Sequence, residues 1–396
     1  MNVRELSEKY KNELITLRRE FHQNPEVGWK EFRTSRRIEE ELKKIGIITE
    51  RIANTGIIGT IQGEGNSKKV VALRADMDAL PIQEANTGIP YKSRNKGVMH
   101  ACGHDSHIAM LLTAARILQD LKEQINGKII LIFQPAEEIV EGAREMLKKG
   151  FLNEVDAILG IHVWSQFPAG KISLESGPRF AAGDRFKITV KGKGSHGAVP
   201  HLGVDAIVAA SAIVMNLQTL VSREINPLEP AVVTLGKING GFNFNVICNQ
   251  VVLEGTTRSF NPDIQKKFPS AIKRIIKETA SALNAKVDLE YTVGSPPCIN
   301  DPDISQIASK SIAKLYGDDV ICNLEKTTAT EDFAYFNRIV PGILVFLGVG
   351  SKEKNCNYPQ HHEKFNIDED ALTIGTSLYV QFALDFLNKN KNNTLE

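Results

Sequence analysis

The sequence predicts an α/β fold, with a mostly parallel sheet covered by helices and an inserted α+β domain of ferredoxin-like order. Three observations carry this. Runs of strand length, continuously apolar at Val70-Val71-Ala72-Leu73 and largely so at Lys128 to Phe133 and Val155 to Ile161, alternate with helical patterns, the order that builds buried parallel strands. Near Gly183 the pattern changes to the in-out alternation of a half-exposed strand, and after Pro296-Pro297 the first pattern resumes. At 396 residues the chain also exceeds the size at which one core usually keeps growing. Residues 1–183 and 296–396 are therefore expected to form one discontinuous domain, and residues 184–295 the inserted one.

In chain order, residues 1 to about 46 read as two amphipathic helices separated by His22-Gln23-Asn24-Pro25-Glu26, the second stopping at Gly46. Gly56 to Gln62 and Lys69 to Ala75 read as a strand pair broken by the turn formers Gly63-Glu64-Gly65-Asn66-Ser67. The second strand leads into Asp76-Met77-Asp78. Met99 to His107 packs a thiol, three imidazoles and a carboxylate into nine residues. A helix follows, with Ile108, Leu111, Leu112, Ala115 and Leu118 on one stripe and Asp105 or Ser106 placed to cap it. The strand Lys128 to Phe133 runs into Gln134-Pro135-Ala136-Glu137-Glu138. A helix from about Gly142 to Lys149 closes on Gly150, and the strand Val155 to Ile161 ends at His162.

The inserted part opens with the strand Asp184 to Lys191 and the glycine-rich stretch Gly192 to His201. A helix from about Val204 to Val221, strands Ala231 to Ile238 and Asn249 to Arg258, a helix over Pro262 to Leu283 and a strand Ala285 to Thr292 complete a βαββαβ order. The last segment supplies a helix from about Ser305 to Leu315, a second opening at Thr328 to Phe333, the strand Gly342 to Leu347 and a loop carrying His361-His362-Glu363-Lys364-Phe365. The polar tail 389–396 is expected to fray.

With 48 Lys and Arg against 47 Asp and Glu, the net charge of +1 gives no reason to expect nucleic acid or an anionic membrane as a partner. The N-terminus is charged throughout and has no apolar core, so it reads as a folded helix and the cytoplasm is the expected location. The most apolar long segment, Ala206 to Leu217, is shorter than a membrane span and contains Ser211, which predicts a buried helix. Cys102, Cys248, Cys298, Cys322 and Cys356 are odd in number and scattered, implying no disulfide framework.

The placement of polar residues points to chemistry. Asp76 and Asp78, Glu137 and Glu138, and His162 each follow an apolar strand, at the edge where open α/β sheets build their sites. Cys102 and His104, two apart across a glycine, suit a borderline-soft divalent cation, although a buried thiol beside a packing histidine would read the same. Neighbours in an extended chain point in opposite directions, so Glu137 and Glu138 can serve different partners. The plain alternative is a solvated acidic pair.

RADMDALP at 74–81, MHACGHDSH at 99–107, QPAEE at 134–138, GIHVW at 160–164, GKGSHGAVPH at 192–201, TEDF at 330–333 and HHEKF at 361–365 stand in the order and approximate spacing of the M20 metallopeptidases. The chain most resembles the amidohydrolase branch: aminoacylases, hippurate hydrolases, auxin-conjugate hydrolases and related carboxypeptidases. The resemblance implies two divalent metal ions per subunit, held by Cys102, His104, Glu138, His162 and His361. Of the adjacent histidines His361 is preferred to His362, because it precedes Phe365 by four. The resemblance further implies Glu137 as the general base, passing a proton from water to the leaving amine, and Asp78 as a residue that orients a ligand. His196 resembles the histidine that one subunit of a homodimer, or larger homo-oligomer, lends to its neighbour's site to stabilise an oxyanion. It could instead only shape its glycine-rich turn.

Arg258 and Asn245 are candidate contacts for a substrate carboxylate, with a plain solvated arginine as the alternative at 258. The expected activity is cleavage of the amide bond of small N-acyl-L-amino acids. The runner-up is a carboxypeptidase acting on peptides or N-blocked peptides, and the third reading is a non-catalytic metal or amino-acid binder. Cys102 favours zinc, while imidazole and carboxylate also suit manganese, cobalt or nickel.

Overall fold

A computed structural model describes residues 1–388, so the polar tail lies outside the described residues. The chain opens with α1 (Val3–Lys9), α2 (Lys11–Gln23) and α3 (Phe32–Lys44), then β1 (Ile48–Ile52), β2 (Gly56–Gln62), β3 (Val70–Asp76) and α4 (His104–Asp120). There follow β4 (Lys128–Gln134), α5 (Gly142–Leu147), β5 (Ala157–Pro168), β6 (Ile172–Ser173) and β7 (Gly177–Phe180). Next come β8 (Ala182–Lys191), α6 (Ala206–Thr219), β9 (Ala231–Gly240), β10 (Gln250–Ser259), α7 (Pro262–Ala282) and β11 (Lys286–Ser295). The chain finishes with β12 (Cys298–Asn300), α8 (Pro302–Tyr316), α9 (Ala334–Asn337), β13 (Gly342–Gly350) and α10 (Leu372–Asn388).

Two compact units result: Met1–Gly177 with Ile299–Glu325 and the chain from Asp332 on, and Pro178–Cys298 with Lys326–Glu331. Among the described residues, the first unit holds a sheet of order β1-β2-β4-β3-β5-β13-β6. Its centre, β4-β3-β5-β13, is parallel, and β1, β2 and β6 are added antiparallel at the edges. Every residue of β3 is buried, as a strand covered on both faces requires. The helix α4 lies against β3 and is covered in turn by α2 and α10, so it is buried on nearly every side and not along one stripe.

Several local expectations are corrected. The first 46 residues hold three helices, because the helical run breaks at Tyr10. The strand β2 pairs with β1 and β4, not with β3. Ala53 and Asn54 take φ values of 45° and 65° in a tight turn, which folds β1 and β2 into a hairpin and leaves the other edge of β2 for β4. The cap of α4 is neither Asp105 nor Ser106 but Gly103, at φ 90°. A Cβ there would stand 2.3 Å from Val163 Cγ2, so only glycine fits. His162 does not end its strand: β5 runs on to Pro168. It pairs with β3 only as far as Gly160 and with β13 to Pro168, which leaves His162 at the opening where β3 and β5 part.

The second unit contains an antiparallel sheet of order β11-β8-β10-β9 with α6 and α7 packed on it, the ferredoxin-like arrangement. The helix α6 continues through Leu220–Glu224 to 19 residues, long and apolar enough to cross a membrane by length and composition. Ala206, Ala209, Ala210, Ile213 and Leu217 are buried in the unit's core, while Ile207, Val208 and Met215 are exposed. The expected burial therefore holds for one face only.

Candidate metal centre

Two segments leave the first unit's strands with their polar residues, and a third opens α4. Beyond β3 the chain carries Asp78 and Ala79, and the Ala79 amide donates to the Glu26 carbonyl at 2.8 Å. Beyond β4, Ala136 and Val140 take φ values of 53° and 59°. Such a conformation costs of order 1–3 kcal/mol per non-glycine residue, and a β-branched one is a genuine outlier. The loop is closed by Val140 N–H on the Glu137 carbonyl at 2.7 Å and by Gly142 N–H on the Ala136 carbonyl at 3.2 Å. The third segment is the turn Cys102-Gly103-His104 ahead of α4.

These segments converge. The Cys102 sulfur lies 3.5 Å from His162 Nε2. In each of three groups, Cys102 with His104 and His162, Cys102 with Glu138 and His361, and His104 with Glu137 and Glu138, the ligand atoms lie within 4.8 Å of one another. His104 Nδ1 is 2.9 Å from the Asp78 carbonyl, and His162 Nδ1 is 2.8 Å from the Val163 carbonyl. A carbonyl can only accept, so both rings carry a proton on Nδ1 and turn Nε2 towards the cluster, as metal-ligating histidines do; at His104 a cation would take the place of the second proton.

The structure tests the fit to a cation directly. His104 Nε2 and Glu138 Oε1 are buried with no hydrogen-bond partner and stand 3.9 Å apart. Burying polar atoms without partners is costly, and a cation between them would relieve that cost. A thiolate and an imidazole on one tetrahedral zinc would lie about 3.6 Å apart, given metal–ligand bonds of about 2.3 and 2.05 Å, close to the Cys102–His162 separation.

Of the two adjacent histidines, His361 joins this group. Its amide donates to the Ala101 carbonyl at 2.8 Å, and its Nε2 lies 3.3 Å from Glu138 Oε2. His362 instead stacks on Tyr358, with ring centroids 4.6 Å apart, and its Nδ1 accepts from the Lys364 amide. Asp78 serves both sides of the cluster: its carbonyl holds His104, and its carboxylate accepts from the Glu138 amide at 3.0 Å. Glu137 is buried and accepts from the Asp332 amide at 3.4 Å.

The electrostatics follow from burial and neighbours. Burial raises the Asp78 carboxyl above its usual range. Burial opposes a charge on Glu138, but the His361 contact and the charge on His104 outweigh it and hold the pKa down. For His104 burial is overcome by Asp76, Asp78 and Glu138, which push it up to about 10. Burial and the neighbouring His107 hold His162 well below the usual imidazole range. Glu31 is driven up to about 7 by burial and by the charge of Asp78.

His196, Asn245 and Arg258 belong to the second unit. His196 is exposed, its Nδ1 accepts from the Ala198 amide at 3.0 Å, and it forms a bridge with Val246. The Asn245 carbonyl accepts from the Gly197 amide at 2.7 Å, so these two candidates are neighbours. Arg258 is half-buried and donates to Thr256 Oγ1 at 2.6 Å and to the Thr257 carbonyl at 3.0 Å.

Sequence reasoning missed the layer beneath the candidate ligands. Arg18 is fully buried and pairs with Asp105 at 2.9 Å, and Asp105 also accepts from His22 at 2.8 Å. The Val163 amide donates to His107 Nε2 at 2.9 Å, so His107 carries its proton on Nδ1, facing Asp76 Oδ1. One signal was available: Arg18 and His22 sit four apart among Leu14, Leu17 and Phe21, charge on the buried face of α2.

A family model described as Peptidase family M20/M25/M40 matches residues 72–385. N-acetyl-L-cysteine deacetylase of Bacillus subtilis is 40% identical over 386 residues, 97% of this chain and 90% of that protein. Thermostable carboxypeptidase 2 of Saccharolobus solfataricus is 37% identical, over 97% of this chain and all of that one. A solved Bacillus subtilis structure described as a dinuclear metal-binding peptidase from the M20 family is 33% identical with a TM-score of 0.85, over 97% of this chain and 99% of that one.

Proposed function

Because the chain belongs to peptidase family M20/M25/M40, we propose that this amidohydrolase or carboxypeptidase uses two divalent cations to cleave N-acyl-L-amino acids into a carboxylate and a free amino acid. The carrying observation is that Cys102, His104, Glu138, His162 and His361 gather their candidate ligand atoms around two buried, unpartnered polar atoms, His104 Nε2 and Glu138 Oε1, with Glu137 beside them. These five residues would hold the cations, zinc, manganese, cobalt or nickel being compatible with the donor set. When bound, such ions supply Lewis acidity that activates water and polarises the scissile carbonyl. Glu137 takes the water's proton and delivers it to the departing amine nitrogen. Asp78 keeps His104 and Glu138 in register. His196 stabilises the oxyanion at a neighbouring copy's site, and Arg258 with Asn245 receives the substrate's α-carboxylate.

The test is release of free amino acid from N-acetyl-L-amino acids, with blocked dipeptides in parallel. Hydrolysis should disappear with chelator and return when zinc, manganese, cobalt or nickel is restored. No release from N-acyl amino acids with any of the four ions would overturn the proposal. Turnover confined to blocked peptides would favour the carboxypeptidase reading, which the 37% identity to a carboxypeptidase supports.

The proposed assembly is a homodimer made through the second unit. Ile207, Val208, Met215, Ile238, Phe242 and Phe244 are exposed there, Phe244 completely. Large apolar side chains left exposed on one unit favour association. Sedimentation equilibrium is expected to return twice the 43.7 kDa of one chain; a single-chain mass at micromolar concentration contradicts it. The proposed location is the cytoplasm, where a thiol such as Cys102 stays reduced and able to meet a metal.

A further inference from the structure

The loop between α2 and α3, residues 24–31, touches both segments that flank the ligand cluster. Its Glu26 carbonyl accepts from the Ala79 amide at 2.8 Å, one residue past Asp78. Glu31 Oε1 accepts from the Ala136 amide at 2.9 Å, one residue before Glu137. Trp29 Nε1 donates to Glu141 Oε2 at 2.8 Å, on the far side of the glutamate pair. Gly28 closes the contact: a Cβ there would stand 3.2 Å from Ala136 Cα and 3.5 Å from Asp78 Oδ2.

The loop is itself anchored. Glu31 caps α3, where its carbonyl accepts from the Ser35 amide at 2.9 Å, and its Oε2 accepts from Thr55 Oγ1 at 2.8 Å. Glu31, Ser35 and Thr55 are all fully buried. The segment it grips is the strained one, with Ala136 and Val140 both at positive φ. Positions of this kind persist only when the surroundings over-determine them, and they cluster where a site needs a fixed geometry.

We propose that residues 24–31 act as a clamp, in which Glu31 and Trp29 are positioning residues that hold the Ala136–Glu141 loop so that Glu137 and Glu138 keep their orientations. The inference rests on the roles proposed above for that pair. The clamp works through hydrogen-bond acceptance, so the charge of Glu31 is dispensable. Glutamine at 31 can still accept from the Ala136 amide, whereas alanine cannot.

The experiment compares Glu31→Ala, Glu31→Gln and Trp29→Phe with the parent chain in three measurements: kcat and KM on an N-acetyl amino acid, zinc affinity by competition with a chromophoric chelator, and melting temperature. Glu31→Ala is expected to lower kcat and zinc affinity by about 10- to 100-fold with KM nearly unchanged, the range found when support behind ligands is removed. Glu31→Gln should restore both to within about threefold, and Trp29→Phe should lower kcat by a few fold while melting normally. A Glu31→Ala protein with parental kcat and zinc affinity overturns the clamp, as does one that only melts earlier. If that variant does not fold, parental kcat and zinc affinity in Trp29→Phe overturn it. Should the parent chain cleave no N-acyl amino acid, the functional reading fails, and the zinc affinities still decide the clamp.

Discussion

Glu137→Ala is expected to lower kcat for amide hydrolysis by about 10²- to 10⁴-fold, the usual contribution of a positioned proton-transfer group. The protein should still bind its metal. The reasoning is local: Glu138 presents Oε2 to His361 and a partnerless Oε1 towards His104, whereas Glu137 accepts from the Asp332 amide. Adjacent residues in the same loop are thus directed to different tasks. The matching change, Glu138→Ala, should remove activity and weaken metal binding together. Parallel measurement of kcat and bound metal in the two variants separates the roles. Parental turnover in Glu137→Ala would refute the assignment, and loss of metal from that variant would make Glu137 a ligand instead.

The largest effect on stability is expected at Arg18. Its guanidinium is fully buried, with Nε 2.9 Å from Asp105 and one terminal nitrogen 3.1 Å from Glu369. Asp105 otherwise depends on His22, which is itself 3.3 Å from Glu84. Removing one partner of a buried ion pair leaves an uncompensated charge and costs about 3–5 kcal/mol. Arg18→Met should therefore lower the melting temperature of the first unit by about 6–20 °C, taking about 2–4 °C per kcal/mol for a body of this size. Adding Asp105→Asn should recover part of that loss, because a neutral amide no longer demands a cation. Calorimetry of the single and double variants provides the check, and a shift below about 2 °C for Arg18→Met would show that the pair is not coupled to folding.

Much of this was legible in the sequence, for a physical reason. The mostly parallel sheet announced itself because strands buried on both faces must be apolar throughout, as Val70 to Leu73 and Ile129 to Phe133 are. The candidate ligands stood out because a cation needs particular atoms, and Cys102, His104 and Glu138 supply them within short, dense motifs. The helix α10 was not foreseen: it is buried almost all round and so carries no amphipathic stripe. The hairpin β1–β2 was missed because Ala53 and Asn54 lack the usual glycine signal for a turn at positive φ. Arg18, Glu31 and Trp29 lie far along the chain from the residues they support. Only tertiary packing connects them: the pattern of α2 marks Arg18 as buried but does not say what it pairs with.

The enclosure of α4 ties the ligand cluster to the apolar interior. His104 opens a helix wedged between β3, α2 and α10, and its imidazole is already aimed by the Asp78 carbonyl. The direction of that ring is thus set by how the interior packs, so what loosens α2 or α10 also misdirects His104.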